Sequence, residues 1–341
     1  MGLFSSNDIT AVDLGAGSIK IARIQGGTRP RLVAARLVEF PVEQAGTGSV
    51  SAELGLLRSE KKLWAKKVVT LVPGKYLTIR HLTLPKMPQA ELREAVQWET
   101  KRHISYPLDN AMIEHLVLGE RREGAVDKYD VLLVAADRNV LHGLLAPFFE
   151  VGIPLVAVDA NPLALRNVLR RRIAPNESNA LVVDIGAGKT EINIFKEGSL
   201  RFSRCIETGG LDMTRTLAED MNLELQDAER LKQSIDILST SEGDKAMVAI
   251  KGKLDGLLLE IRRSVDYYKS TFREKAVERA ILTGGVSLMR GIKDYFSSSL
   301  EGPVELCAPF EGLSAKRDVL DEFGAIAPRF SAAVGLALRR A

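Results

Sequence analysis

Apolar residues lead into Asp13-Leu-Gly15-Ala-Gly17, and the next segment, Ile19-Lys-Ile-Ala-Arg-Ile24, alternates apolar and polar. A Gly26-Gly27 turn and the run Arg31 to Val38 follow. Alternation with period two, broken by glycine turns, predicts a three-stranded meander. The same pattern returns half a chain later. Val182-Val-Asp184-Ile-Gly186-Ala-Gly188 leads into Glu191-Ile-Asn-Ile-Phe195, a turn at Glu197-Gly198, and Leu200 to Ile206. Two such units predict two related lobes.

Other segments fit around this frame. Ser51 to Trp64 reads as an amphipathic helix, Lys67 to Val72 as a strand, and Pro73-Gly74 as a turn. Pro85 to Pro88 reads as a linker. Gln89 to His103 has helical spacing, with Leu92, Ala95, Val96 and Glu99 in register. A strand at Tyr129–Ala136 and a helix from Arg138 to Val151 complete a small α+β insertion. Leu155 to Val158 is a strand, Asn161 to Arg171 a helix, and Pro175 to Asn179 a hinge-like linker. Residues 211–278 are mostly helical, and Ser331 to Arg340 is a last helix. The expected division is a first lobe of 1–82, 155–178 and 323–341 and an insertion of 83–154. The second lobe has a core of 179–210 and 279–322 and a helical part of 211–278.

Composition narrows the classes. The chain has 341 residues, 45% apolar and 27% charged, which excludes wholesale disorder. A net charge of +3 gives no support to a nucleic-acid binder. The two cysteines, Cys205 and Cys307, form no C-x-x-C pair, so neither a cysteine zinc site nor a disulfide framework is expected. His81, His103, His115 and His142 are scattered without metal-ligand spacing. No run reaches the roughly 18 apolar residues of a membrane span, and the start has no secretory-signal pattern. A cytoplasmic protein is expected, reaching a membrane only through a partner.

The glycine motifs miss two common phosphate loops. Gly186-Ala-Gly-Lys189-Thr190 ends like a P-loop, but Val183 stands where its first glycine belongs. Lys20 and Glu191 stand where a dinucleotide fingerprint needs its third glycine. In Asp-x-Gly-x-Gly the glycines allow close approach and aim backbone N–H groups at phosphate oxygens. An aspartate there repels phosphate unless a cation intervenes, and paired aspartates suit hydrated Mg2+.

The paired motifs resemble the actin, Hsp70 and sugar-kinase superfamily over essentially the whole chain. The resemblance implies an α/β fold, the actin-like, ribonuclease-H-like two-lobe ATPase. It implies that Asp13, Gly15, Gly17, Ser18 and Lys20 form a first phosphate loop. Asp184, Gly186, Gly188, Lys189 and Thr190 would form a second, with Lys189 a departure from the usual small residue. Asp13 and Asp184 would hold Mg2+ beside ATP or ADP, and Lys20 would reach the outer phosphates or remain a solvated strand lysine. Gly284 and Gly285 in Leu282-Thr-Gly-Gly-Val look like the adenosine loop. Gly209, Gly210, Glu229 and Lys232 look like the ribose and adenine elements, although the last two could be surface charges. Asp159 is the expected water-orienting catalytic residue, or else a turn aspartate before Asn161-Pro162.

The insertion's position resembles FtsA, whose corresponding subdomain is called 1C. The wording of Pro85-Lys-Met-Pro-Gln-Ala-Glu-Leu92, Ala95-Val-Gln-Trp98-Glu99, Ile104-Ser-Tyr106-Pro-Leu108 and Val156-Ala-Val-Asp159-Ala-Asn-Pro is similar to the PilM family of type IV pilus assembly. The resemblance to FtsA would call for an amphipathic membrane helix after the core; with the sequence closing on the core helix, none is expected here, which favours the PilM wording. The resemblance implies a cytoplasmic ATP-binding protein, peripheral at the inner membrane, with at most slow ATPase activity. It implies docking of the N-terminal peptide of PilN in a groove near Val69–Leu84 and Gln89–His103. It also implies indirect links to PilO and PilP and to the pilus motor ATPases, with homo-oligomerisation left open. Trp98 is expected to anchor the insertion on the first lobe. The alternatives are an FtsA-like filament-forming division protein and a small-molecule kinase of the same superfamily.

Overall fold

The computed structural model describes residues 8–41, 50–170, 179–239, 244–274 and 276–339. Strands β1 (Asp8–Leu14), β2 (Ser18–Gln25) and β3 (Arg31–Glu39) form an antiparallel meander. Helix α1 (Val50–Arg58) leads to β4 (Lys67–Val72), parallel to β1. Next come β5 (Leu77–Pro85), α2 (Gln89–Thr100), β6 (Ala111–Glu123), β7 (Val126–Asp137) and α3 (Arg138–Glu150). Strand β8 (Leu155–Ala160) returns beside β4 and runs into α4 (Asn161–Leu169).

The second half repeats the plan. Strands β9 (Asn179–Ile185), β10 (Thr190–Lys196) and β11 (Ser199–Ile206) make another meander. Helices α5 (Gly210–Met221), α6 (Leu225–Ser234) and α7 (Lys245–Phe272) precede β12 (Arg279–Thr283), parallel to β9. Helix α8 (Ile292–Ser297), β13 (Val304–Leu306), β14 (Ser314–Ala315), α9 (Arg317–Phe323) and α10 (Ser331–Ala337) finish the described chain. The sheet orders are β14-β3-β2-β1-β4-β8, β11-β10-β9-β12-β13 and β5-β7-β6.

Strands β1 and β9 are apolar on both faces, so each sheet must be covered twice. Ile9, Ala11, Ala180 and Val182 face a core shared between the lobes, filled by Ala164, Leu165 and Val168 of α4 and Ala333 and Val334 of α10. On the outer faces Val12 packs with Leu54, Leu57 and Phe148, and Leu181 and Val183 pack with Met213, Ile250 and Leu254. Helices α4 and α10 cross at Gly335, whose carbonyl accepts a 2.9 Å hydrogen bond from the Asn167 amide.

The third sheet has its own small core of Leu82, Leu92, Val96, Val131 and Leu133. The expected boundary at residue 83 falls inside β5, which already belongs to that sheet from Leu77. Arg201 on β11 reaches across to it, 3.0 Å from His81 Nε2 and 3.3 Å from Asp130. Trp98 does not anchor the insertion: 70% of it is exposed, while Leu92, Val96 and Thr100 form the buried face of α2. The helix expected to reach His103 stops at Thr100, whose hydroxyl donates back to the Val96 carbonyl. The linker residues 175–178 and Arg171, where the helix after β8 was expected to end, lie outside the described residues.

Candidate functional site

The two Asp-x-Gly-Ala-Gly turns are built alike. Gly15 N–H donates to the Ser18 carbonyl at 3.0 Å, and Gly186 N–H donates to the Lys189 carbonyl at 2.9 Å. The turns meet tip to tip. A Cβ on Gly17 would lie 3.0 Å from the Ala187 Cβ, and one on Gly188 would lie 3.1 Å from the Ala16 Cβ. Larger residues there would force the lobes apart. Both turns line a cleft of about 930 Å³ whose walls include Asp13, Lys20, Asn161, Asp184 and Lys189.

The ladders fix the charges. Asp13 stands opposite Lys20 in the β1–β2 register and is ion-paired with it at 3.3 Å. The equivalent pair in the β9–β10 register is Asp184 opposite Glu191, two like charges. Asn161, first residue of α4, donates 3.0 Å hydrogen bonds to both Asp184 and Glu191. Glu191 also accepts from Gly74 N–H at 2.9 Å and from the Lys189 amine. Burial first, then the neighbouring Glu191, pushes the Asp184 carboxyl up to about 6, against the Asn161 hydrogen bond; Asp13 adds to the rise. This floor is short of positive charge.

Among the described residues no group of three or more His, Cys, Asp or Glu side chains could hold a metal unaided. A cation here would complete its shell with water and ligand oxygens, as Mg2+ commonly does. The residues fit such an ion. Asp13 and Asp184 present carboxylates to the cleft, and the buried Asn161 Oδ1 has no hydrogen-bond partner among the described residues.

The far wall carries Gly210, Glu229, Lys232, Gly284 and Gly285. The Lys232 amine donates to the Gly210 carbonyl at 3.0 Å, to Thr214 at 2.8 Å and to Glu229 at 2.6 Å, clamping α6 to α5. Burial would raise the Glu229 carboxyl, but Lys232, Thr214 and Gln233 hold it below the ordinary range. These two residues are a structural clamp as well as cleft lining. Gly284 has φ of +84°, and a Cβ there would sit 2.4 Å from the Ile185 carbonyl, so only glycine fits.

Three expected residues are not in the cleft. Asp159 is not in its lining: its carboxylate accepts from Ala160 N–H and lies 3.7 Å from Arg339. The strand-to-helix step instead delivers Asn161 to the floor. Thr190 is fully buried and its hydroxyl donates to the Thr208 carbonyl, so it holds the hairpin from behind. Gly209 packs under the second turn, where a Cβ would lie 2.5 Å from the Ala187 carbonyl. Sequence reasoning missed Asn161 and Glu191 as site residues. Glu191 was visible as the residue occupying the place of Lys20 in the second copy.

Cys205 lies near this floor. Burial, with Glu191 and Glu207, pushes its thiol up to about 11. Its thiolate fraction at pH 8 is then about one in a thousand, so titration with a thiol reagent in the folded state should be slow and become fast on denaturation.

Comparison with known proteins gives this cleft a setting. The chain matches the family described as "Type IV pilus assembly protein PilM" over residues 11–341. A chain in a solved PilM-PilN type IV pilus biogenesis complex is 27% identical, with a TM-score of 0.84, covering 97% of this chain and 98% of that one. The cell division protein FtsA of Neisseria meningitidis serogroup B is 30% identical over 177 residues, 46% of this chain and 41% of the relative. FtsA of Helicobacter pylori strain J99 is 24% identical over 236 residues, 61% of this chain and 46% of the relative. The chain therefore spans less than half the length of these curated relatives. MreB 5 of Spiroplasma citri, solved bound to AMPPNP, shares the fold at 14% identity and a TM-score of 0.50, covering 95% of this chain and 94% of that one. The actin-like two-lobe fold that the resemblance of the paired motifs implied is the observed one, and the chain belongs to the PilM family of type IV pilus assembly proteins.

Proposed function

We propose that the cleft binds Mg-ATP or Mg-ADP and that the protein, so loaded, docks the N-terminal cytoplasmic peptide of PilN. The observation that carries the nucleotide reading is the contact between the two glycine turns, with Asp13 and Asp184 behind them. Bound phosphates would take the backbone N–H groups at the tips of both turns, beyond those of Gly15 and Gly186 that close the turns themselves, and the amines of Lys20 and Lys189. Mg2+ would take Asp13 and Asp184 through water and neutralise the charge between phosphate and carboxylate. Hydrolysis would be slow at most. Asp13 is ion-paired and Glu191 is tied by three donors, so neither is a free general base.

The peptide reading rests on family membership and on apolar surface available to a partner. Val156 and Val158 are exposed on β8, which closes one edge of the first sheet, and Trp98, Met112 and Leu116 are exposed on the insertion. No helix among the described residues is long and apolar enough to cross a membrane. In this proposal PilN holds the protein at the inner membrane, with PilO, PilP and the motor ATPases further along the assembly.

Calorimetry tests both parts. Asp13→Ala should weaken Mg-AMPPNP binding about tenfold with an unchanged circular dichroism spectrum; unchanged affinity would remove the metal role. A synthetic PilN N-terminal peptide should bind the wild-type protein and lose affinity on substitution in the Val69–Leu84 and Gln89–His103 segments. Peptide binding indifferent to those substitutions would move the docking site elsewhere.

A further inference from the structure

The second hairpin differs from the first at one decisive place. Where Asp13 faces Lys20, Asp184 faces Glu191, so an ion pair is exchanged for a repulsion. Glu191 is nevertheless only 1% exposed. A buried carboxylate persists only with dedicated donors, and the donors of Glu191 come from three places. Lys189 belongs to its own turn, Asn161 to the start of α4, and the third is Gly74 N–H in the turn between β4 and β5. The contact with Gly74 is tight: a Cβ there would lie 2.8 to 3.0 Å from all three carboxyl atoms of Glu191. Three residues later β5 begins, an edge strand of the insertion sheet.

We infer that Glu191 is a positioning residue that ties the cleft's occupancy to the insertion, through the chain Lys189–Glu191–Gly74. This rests on the Mg-nucleotide reading above. A phosphate at the second turn competes with Glu191 for the Lys189 amine. When Lys189 turns to the phosphate, Glu191 loses one of its three donors, and its demand falls on the other two, Asn161 and Gly74 N–H. The Gly74 N–H bond tightens, and with it the turn that sets the start of β5. The link is short, contiguous and made of named contacts, which is the physical requirement for coupling between sites. By linkage, a ligand that fixes the β4–β5 turn also favours nucleotide binding by the same factor.

Amide hydrogen exchange of the segment from Gly74 to Leu82 tests this, with Mg-AMPPNP affinity measured in parallel by calorimetry. In the wild type, saturating Mg-AMPPNP should slow exchange at this segment about fivefold. Glu191→Gln should still bind Mg-AMPPNP yet show no such slowing, because a neutral amide gains nothing when Lys189 departs. Lys189→Met should show slow exchange without nucleotide. Equal slowing in Glu191→Gln and wild type, or no slowing in a wild type that binds, overturns the role of Glu191 and leaves the nucleotide reading standing. No binding heat from the wild type overturns the nucleotide reading and the link with it.

Discussion

Asp184→Asn should stabilise the nucleotide-free protein at pH 8 while weakening Mg-AMPPNP binding about a hundredfold. Both effects have one cause, a buried carboxylate facing two others. Its folded carboxyl titrates at about 6 against an ordinary 3.8, so the folded state holds that proton more tightly than the unfolded state does. Above pH 6 the folded protein bears the full cost of the charge. Below about pH 4 the group is protonated in both states and the cost is gone. Two units correspond to about 3 kcal/mol, an upper limit for the gain from asparagine. Thermal melts of the two proteins should therefore differ most at pH 7–8 and converge as the pH falls from 6 to 4. A difference that is constant with pH, or of opposite sign, would contradict the charge assignment. Saturating Mg-AMPPNP should reverse the order, because the wild type alone gains the cation.

The second large effect is steric. Gly335→Ala would put a Cβ 2.0 Å from the Ala164 carbonyl oxygen and 2.6 Å from its carbon. These are backbone atoms of two crossing helices, so no side chain can move aside. The cost should be about 3 kcal/mol or more, a fall of roughly 4 °C in Tm or more. Gly252 and Gly256 on α7 are the controls, since a Cβ at either meets nothing within 4 Å. Alanine at those positions should raise stability by up to about 1 kcal/mol. If Gly335→Ala melts like the controls, α4 and α10 do not meet as described. Because both lobes pack on this helix pair, a loosened crossing should also blunt nucleotide binding.

The repeated hairpins were legible because glycine turns and period-two alternation are local signals, and repetition doubles them. Strand β6 was not legible. Its end, Gly119 to Glu123, is almost wholly polar, and it lies at the edge of a small sheet whose other face carries α2, so its alternation is weak. Trp98 misled because a large aromatic usually marks a packed face, whereas the burial of α2 falls on Leu92 and Val96. Asp159 and Asn161 could not be separated by sequence. Which of two residues at a strand-to-helix step reaches the cleft is set by the exit angle of β8, a tertiary quantity. Glu191 was readable as an exchange for Lys20, but its bond to Gly74 joins residues far apart in the chain and needs the fold.

Manganese in place of magnesium offers the most direct test of the central claim. With AMPPNP and Mn2+ bound, amide resonances of Gly15–Gly17 and Gly186–Gly188 should broaden together, while those at the far end of the insertion sheet, Arg121 to Lys128, a full strand length from the cleft-side start of β5, stay sharp. Broadening of only one hairpin, or of neither in the presence of bound Mn-AMPPNP, would mean that the two turns do not share a metal-bound phosphate.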